Sequence, residues 1–240
     1  MTTTKMPPTA RVVPHELKHH GHTRIDNYYW LRDRNNPDTV AYLEAENAHT
    51  KEAMAHVQPL EEALFTEIKG RIKQTDMSVP YRQGDYYYYT RYEEGQEYPL
   101  YVRKPHSVKH PEELMLDVNL LAEGHQFFAV GGLAVSFGQD LLAYAEDTRG
   151  RRIYTIRIRN LVTGETLPDI IQDVTSNITW ANDNRTLFYA KQDSETLRSD
   201  RIFRHTLGTD PASDVLVYEE DDETFSVHVF KTKSKQYVMI

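Results

Sequence analysis

The spacing of apolar residues changes once along this chain, and the change divides it. Over residues 1–24 there is no regular spacing, and Pro7, Pro8 and Pro14 interrupt any helix, which predicts an extended arm. Asn36-Pro37 then supplies a capping side chain followed by proline at a first helical position. Behind it Val40, Leu43, Asn47, Ala48, Met54 and Ala55 mark an imperfect helical stripe, with glutamates early and lysine late as the helix dipole prefers. A second helix starts at Pro59: Leu60, Leu64, Ile68 and Ile72 recur every four residues with Phe65 beside them, and Gly70 marks its end.

From there the period shortens to two. VPYRQGDYYYYTRYEEGQEYPLYVRKP alternates on both sides of EEGQ and predicts a long hairpin. Short strand-like runs follow as far as residue 240, among them GGLAVSF, LLAYAED, RIYTIRIRN, ITW, TLFYAK and KQYVMI. They repeat. VPYRQGDYYYYTR, VSFGQDLLAYAED, ITWANDNRTLFYAK and VHVFKTKSKQYVMI share one order: a β-branched or aromatic residue, a polar turn, then an apolar strand. They begin near Val79, Val135, Ile178 and Val227, so the steps are 56, 43 and 49 residues. A third strand follows each of the first three, and TLPDII and DVLVYEE add a fourth to the later ones. Four short strands per repeat of roughly 40–50 residues is the pattern of a β-propeller blade. An irregular β-sandwich is the alternative. The expected class is therefore mainly β: an incomplete propeller of about three to four blades over residues 73–240, behind a helical arm over residues 1–72. The last run, KQYVMI, is apolar with no turn behind it, as expected of the front part of a longer protein cut within a blade.

Composition narrows the function. The 240 residues are 39% hydrophobic and 27% charged, with mean hydropathy −0.65 and sixteen tyrosines against eight phenylalanines, which suits amphipathic strand faces. A formal charge of −8 argues against a nucleic-acid partner, which needs basic patches. No cysteine is present, so disulfides and thiolate metal sites are excluded. The first fifteen residues hold no apolar run of signal-peptide type, and no segment reads as a membrane span, so the expected location is the cytoplasm.

Three motifs carry possible chemistry. HELKH at 15–19 fits H-E-x-x-H, with Glu16 as general base and Glu44 as a third zinc ligand beside His15 and His19. That chemistry needs a buried helix, and Pro14 and Gly21 deny it one. Ala134–Gly138 is an A-x-S-x-G variant of a nucleophile elbow, with His205 or His228 downstream. Ser136 aligns with Thr179 of the next repeat, however, which places it in a blade and not on a strand–turn–helix. The AEDTRGRR turn groups Asp147, Arg149, Arg151 and Arg152, candidates for pairing across a domain interface. EEDDE at 219–223 lacks the calcium-loop spacing, and Gly131-Gly132 stands outside any phosphate-cradling loop; no cofactor is expected.

DNYYWLRD at 26–33 puts two tyrosines and a tryptophan between aspartates, a large aromatic surface that something must cover. Together with HGHTRIDNYYWLRDRNNPDTVAYLEAENAHT, with LDVNLLAEGHQFFAVGGLAVSFGQDLLAYAEDTRGRRIYTIRIRNLVTGE and with SDRIFRHTLGTD, it resembles the N-terminal part of the prolyl oligopeptidase family of serine peptidases. Within the family, AEGH and the SDR-to-LGTD stretch are most similar to the oligopeptidase B branch. Asp26, Tyr28, Trp30, Arg32 and Asp33 are the signature positions.

The resemblance implies an α/β-hydrolase domain capped by a seven-bladed propeller, with the N-terminal segment wrapped on the hydrolase. Tyr28, Tyr29 and Trp30 would then be covered by a domain this sequence does not contain. It implies cleavage of short peptides after arginine or lysine by a Ser-Asp-His triad in that domain, so no catalytic residue falls here and this chain alone is expected to be inactive. The propeller would restrict access to flexible peptides. Where prolyl-specific relatives carry an aromatic wall, this chain has Asp173-Val174-Thr175-Ser176, which leaves Thr175 as a substrate-facing candidate. A free-standing propeller that binds a protein partner is the second reading. A reading frame continuing past Ile240 into a G-x-S-x-G segment would separate the two.

Overall fold

The computed structural model describes residues 6–240, and residues 1–5 of the expected arm lie outside them. The chain divides into two compact units, Met1–Lys73 and Gln74–Ile240. Among the described residues no helix is long and apolar enough to cross a membrane.

The first unit departs from the expected extended arm. HELKH forms strand β1 (His15–His19), which pairs antiparallel with β2 (His22–Asp26) from His15↔Asp26 to His19↔His22. His20 and Gly21, both at positive φ (51° and 78°), make the tight turn between them. A 3₁₀ turn, Tyr29–Arg32, leads to helix α1 (Pro37–Met54), whose Asn36 side chain accepts from the Asp38 N–H as the sequence predicts. Helix α2 (Gln58–Gly70) follows after one 3₁₀ turn, with Pro59 in its first turn. The face of α2 is as expected, but Leu60, Leu64, Phe65 and Ile68 all remain exposed in this unit.

The second unit is built of antiparallel blades. The first blade is a four-stranded sheet in the order β3 (Tyr81–Gln83), β4 (Tyr86–Arg91), β5 (Leu100–Pro105), β6 (Glu113–Asp117). The predicted hairpin is β4–β5, and β6 completes a blade for which the sequence had offered no fourth strand. The short helix α3 (Val118–Ala122), capped by the Asp117 carboxylate, turns the chain toward the second blade.

The second and third blades share one seven-stranded sheet, β7 (Ala129–Val135), β8 (Leu141–Asp147), β9 (Tyr154–Asn160), β10 (Thr166–Trp180), β11 (Thr186–Gln192), β12 (Ser199–Thr206) and β13 (Val215–Glu219), paired in chain order. The 15-residue β10 explains how two blades make one sheet. From Thr166 to Val174 it pairs with β9, and from Val174 to Trp180 with β11, with breaks in register at each handover. Its first part is the outer strand of one blade and its last part the inner strand of the next. The sequence showed these as separate runs, TLPDII and ITW. A fourth blade begins with β14 (Phe230–Lys231) and β15 (Val238–Met239).

The blades pack through an apolar core that includes Ile156, Ile158, Ile171, Val174, Leu187 and Tyr189, all buried. Gly131 and Gly132 belong to this packing. A Cβ on Gly131 would sit 2.3 Å from the Tyr154 ring, and one on Gly132 would sit 2.1 Å from the Ser176 carbonyl oxygen. The glycine pair lets two inner strands approach backbone to backbone.

Candidate functional site: an axial groove and an aromatic box

In the second unit the inner strands and the turns behind them enclose a groove of about 770 Å³. Tyr81, Tyr88, Phe137, Trp180 and Lys231 are among its walls, drawn from all four blades. Trp180 is fixed there by its indole N–H, which donates to the Ala134 carbonyl at 2.8 Å. Burial raises the Tyr88 hydroxyl above the usual phenol range, against the lowering effect of the Arg103 charge. Burial lowers Lys231, and its neighbour Lys235 lowers it further. The walls thus mix aromatic and aliphatic side chains with polar and charged ones, the lining of a passage or binding cleft.

The candidate residues of the AEDTRGRR turn separate. Asp147 is buried and is used by its own loop: its carboxylate accepts from the backbone N–H groups of Arg149, Gly150 and Arg152 at 2.7–3.0 Å. It organises the turn between β8 and β9. Arg149 lies 3.9 Å from Asp173, an exposed pair worth little in water, and Arg151 is exposed. Thr175, in β10 at the blade handover, accepts from the Asn177 N–H at 3.1 Å through its hydroxyl.

Ser136 lies in the turn just past β7, not within a strand. It is fully buried, donating to Asp140 at 2.9 Å and accepting from the Leu141 N–H at 3.1 Å. His228 is exposed. His205 is fully buried between two carboxylates, with Nδ1 2.7 Å from Asp214 and Nε2 2.9 Å from Asp169. The Tyr189 hydroxyl donates to the same Asp214 at 2.9 Å, and the Gly208 N–H donates to Asp169 at 2.6 Å. Burial first, then this bond to Asp214, pushes the Tyr189 hydroxyl far up. The network ties the outer strand of the second blade to the third blade, with no path from Ser136 to His205. Sequence reasoning missed Asp169, Asp214 and Tyr189, whose partners are 9 to 39 residues away along the chain.

In the first unit HELKH is a strand, and its His15 ring stacks on Tyr29 with centroids 3.9 Å apart. No group of three or more metal-ligating side chains occurs among the described residues. Tyr29 also carries the Arg32 guanidinium 4.7 Å above its ring and accepts a hydrogen bond from it. The Trp30 indole N–H donates to the Arg11 carbonyl at 2.9 Å, the Arg11 guanidinium lies 5.6 Å from the ring, and Tyr42 meets it edge-on at 6.3 Å. Asp26 and Asp33 accept from the N–H groups of Tyr28 and Asn35. These carboxylates hold the backbone that presents the rings. The box is therefore partly covered from within its own unit, while Tyr28 stays 48% exposed.

The comparisons with known proteins agree with this architecture. Residues 7–240 match the family described as "Prolyl oligopeptidase, N-terminal beta-propeller domain". The chain is 44% identical to the dipeptidyl aminopeptidase BI of Pseudoxanthomonas mexicana, over 98% of this chain and 35% of that protein. It is 35% identical to protease 2 of Moraxella lacunata, over 97% and 35%. Among solved structures, oligopeptidase B from Leishmania major superposes with a TM-score of 0.88 at 30% identity, over 97% of this chain and 35% of that one. The chain spans about a third of the length of these relatives. The resemblance read from DNYYWLRD and the blade repeats is borne out: this chain belongs to the prolyl oligopeptidase family, within its N-terminal propeller region.

Proposed function

We infer that this chain is the N-terminal part of a cytoplasmic serine oligopeptidase that hydrolyses short peptides after arginine or lysine, its blades limiting access to a triad carried by a C-terminal α/β-hydrolase domain. One observation carries the reading: the likeness runs through nearly the whole chain, at 44% identity to one peptidase and with a TM-score of 0.88 to an oligopeptidase B. The aromatic-walled groove between the inner strands supports a passage for extended peptide. The exposed Leu60, Leu64, Phe65 and Ile68 face of α2 supports a covering domain. Ser136 and His205 are engaged in bonds of their own, which supports placing the chemistry outside this chain.

The test is hydrolysis by the full-length protein of two substrate types, amides of N-terminally blocked peptides whose last residue is arginine or lysine, and amides of free dipeptides. Cleavage of the blocked set after arginine or lysine is expected. Release of N-terminal dipeptides alone would replace the endopeptidase reading with the activity in the name of the Pseudoxanthomonas relative. The 240-residue chain is expected to cleave neither set, and turnover by it that Ser136→Ala abolishes would overturn the reading.

A further inference from the structure

The hairpin turns at one rim of the groove share a backbone feature that the blade repeat alone does not require. Each has one residue in the left-handed region: Gly84 (φ 59°), Gln139 (64°), Asn184 (54°) and Lys235 (62°). The first three each stand two residues before the next strand, at Tyr86, Leu141 and Thr186. At Gln139 and Asn184 the side chain reaches the turn of a neighbouring blade.

Both side chains find a partner there. The Gln139 amide lies over the turn of the first blade: its Nε2 donates to the Gln83 carbonyl at 2.6 Å, and its Oε1 accepts from the Asp85 N–H at 3.2 Å. A Cβ on Gly84 would come within 2.6–2.8 Å of that amide, so glycine leaves the room it needs. Asn184 Oδ1 accepts from the Gly138 N–H at 2.5 Å, again over a glycine, whose Cβ would sit 3.0 Å from the Asn184 amide. Asn182 joins the third blade to the fourth, donating to the Lys235 carbonyl at 2.8 Å and accepting from Lys231 Nζ at 2.5 Å. Three junctions between successive blades are thus closed by an amide side chain of one turn on the backbone of a neighbouring one. Gln83, Gly84, Asp85, Gln139, Lys231 and Lys235 of these turns line the groove.

We propose that Gln139, Asn182 and Asn184 are aperture residues, clasps between adjacent turns that fix the width of the groove at this rim and so select the size of what passes. The size selection rests on the peptidase reading above, whereas the clasping does not.

Glycine at positions 139 and 184 removes the amides while easing the left-handed backbone, so the double variant Gln139→Gly/Asn184→Gly leaves the fold free to form. Arg152→Gly, at another positive-φ position (57°) that is exposed and does not line the groove, is the control. In a Trp30→Phe background Trp180, a groove residue only 3% exposed, is the sole indole. The double variant should raise acrylamide quenching of Trp180 about threefold or more and speed amide exchange at Asp85 and Gly138 about tenfold, a loss comparable to one hydrogen bond. The control should move neither. Unchanged exchange at Asp85 and Gly138, or unchanged quenching, overturns the clasp. In the full-length protein, kcat/KM for a twenty-residue peptide relative to a short one should rise about threefold, and an unchanged ratio overturns the selection. If the parent cleaves no peptide at all, the peptidase reading fails, and fluorescence and exchange still decide the clasp.

Discussion

Gly132→Ala probes a close blade-to-blade approach. The new methyl would sit 2.1 Å from the Ser176 carbonyl oxygen, about 1 Å inside a normal carbon–oxygen contact. That oxygen is backbone, so no side chain can swing aside. Relief requires the inner end of β10 to move from β7, which strains the bond from Trp180 to the Ala134 carbonyl and the core around Ile178 and Trp180. Overpacking of this kind costs about 1–3 kcal/mol, and a weakened buried hydrogen bond adds about 1 kcal/mol. The stiffer unfolded chain returns about 0.4–1 kcal/mol. The net loss is about 2–3 kcal/mol, or a fall in Tm of about 5–10 °C for a chain of this size. Urea unfolding followed by Trp180 fluorescence in the Trp30→Phe background measures it. Gly70→Ala is the comparison: nothing lies within 4 Å of its Cβ, and it ends α2. It should be neutral or stabilising by about 0.5–1 kcal/mol. A loss under about 1 kcal/mol for Gly132→Ala, in the range of many surface changes, would refute the close approach.

Trp30→Ala should cost this chain about 2 kcal/mol, since the ring is only half-buried and loses one hydrogen bond. In the full-length protein the loss should rise to about 3–5 kcal/mol if a second domain covers the box, and equal losses in the two would count against that cover. Buried phenols set an alkaline limit. Burial, then the bond to Glu112, pushes Tyr89 up to about 12, and Tyr189 is displaced further in the same direction. These groups stabilise the fold fully below the unfolded value near 10 and lose that contribution as pH rises through the folded values. Stability should therefore fall between pH 10 and 12, less steeply in Tyr89→Phe, and a flat profile would contradict the assignment. Asp147→Ala leaves three backbone N–H groups without their acceptor and should lower stability by about 2–3 kcal/mol; a silent variant in a thermal melt would show that the turn organises itself.

The legible parts of the fold were those with local causes. Asn36-Pro37 announces α1 through its cap, and Leu60, Leu64 and Ile68 announce α2 through their spacing. The blade repeat shows because each inner hairpin repeats one order of apolar, turn and apolar residues. The β1–β2 hairpin was hidden because His15, Leu17 and His19 alternate with Glu16 and Lys18, so neither face is apolar. His20-Gly21 was its only local sign. ELMLD is too short to stand out, and β10 reads as two strands because its register breaks in the middle. The His205 network and the turn clasps were out of reach, since each joins residues 9 to 56 positions apart, a distance at which local pattern carries no information. Asp147 was picked out by its charge, but the structure gives that charge to its own backbone.

The most direct test of the whole account presents one arginine-containing sequence to the full-length protein in two forms, as a free short peptide and as a loop within a folded protein. The account predicts rapid cleavage of the peptide after arginine and none of the folded form. Equal cleavage of both, or cleavage of neither, would contradict a peptidase whose blades govern access.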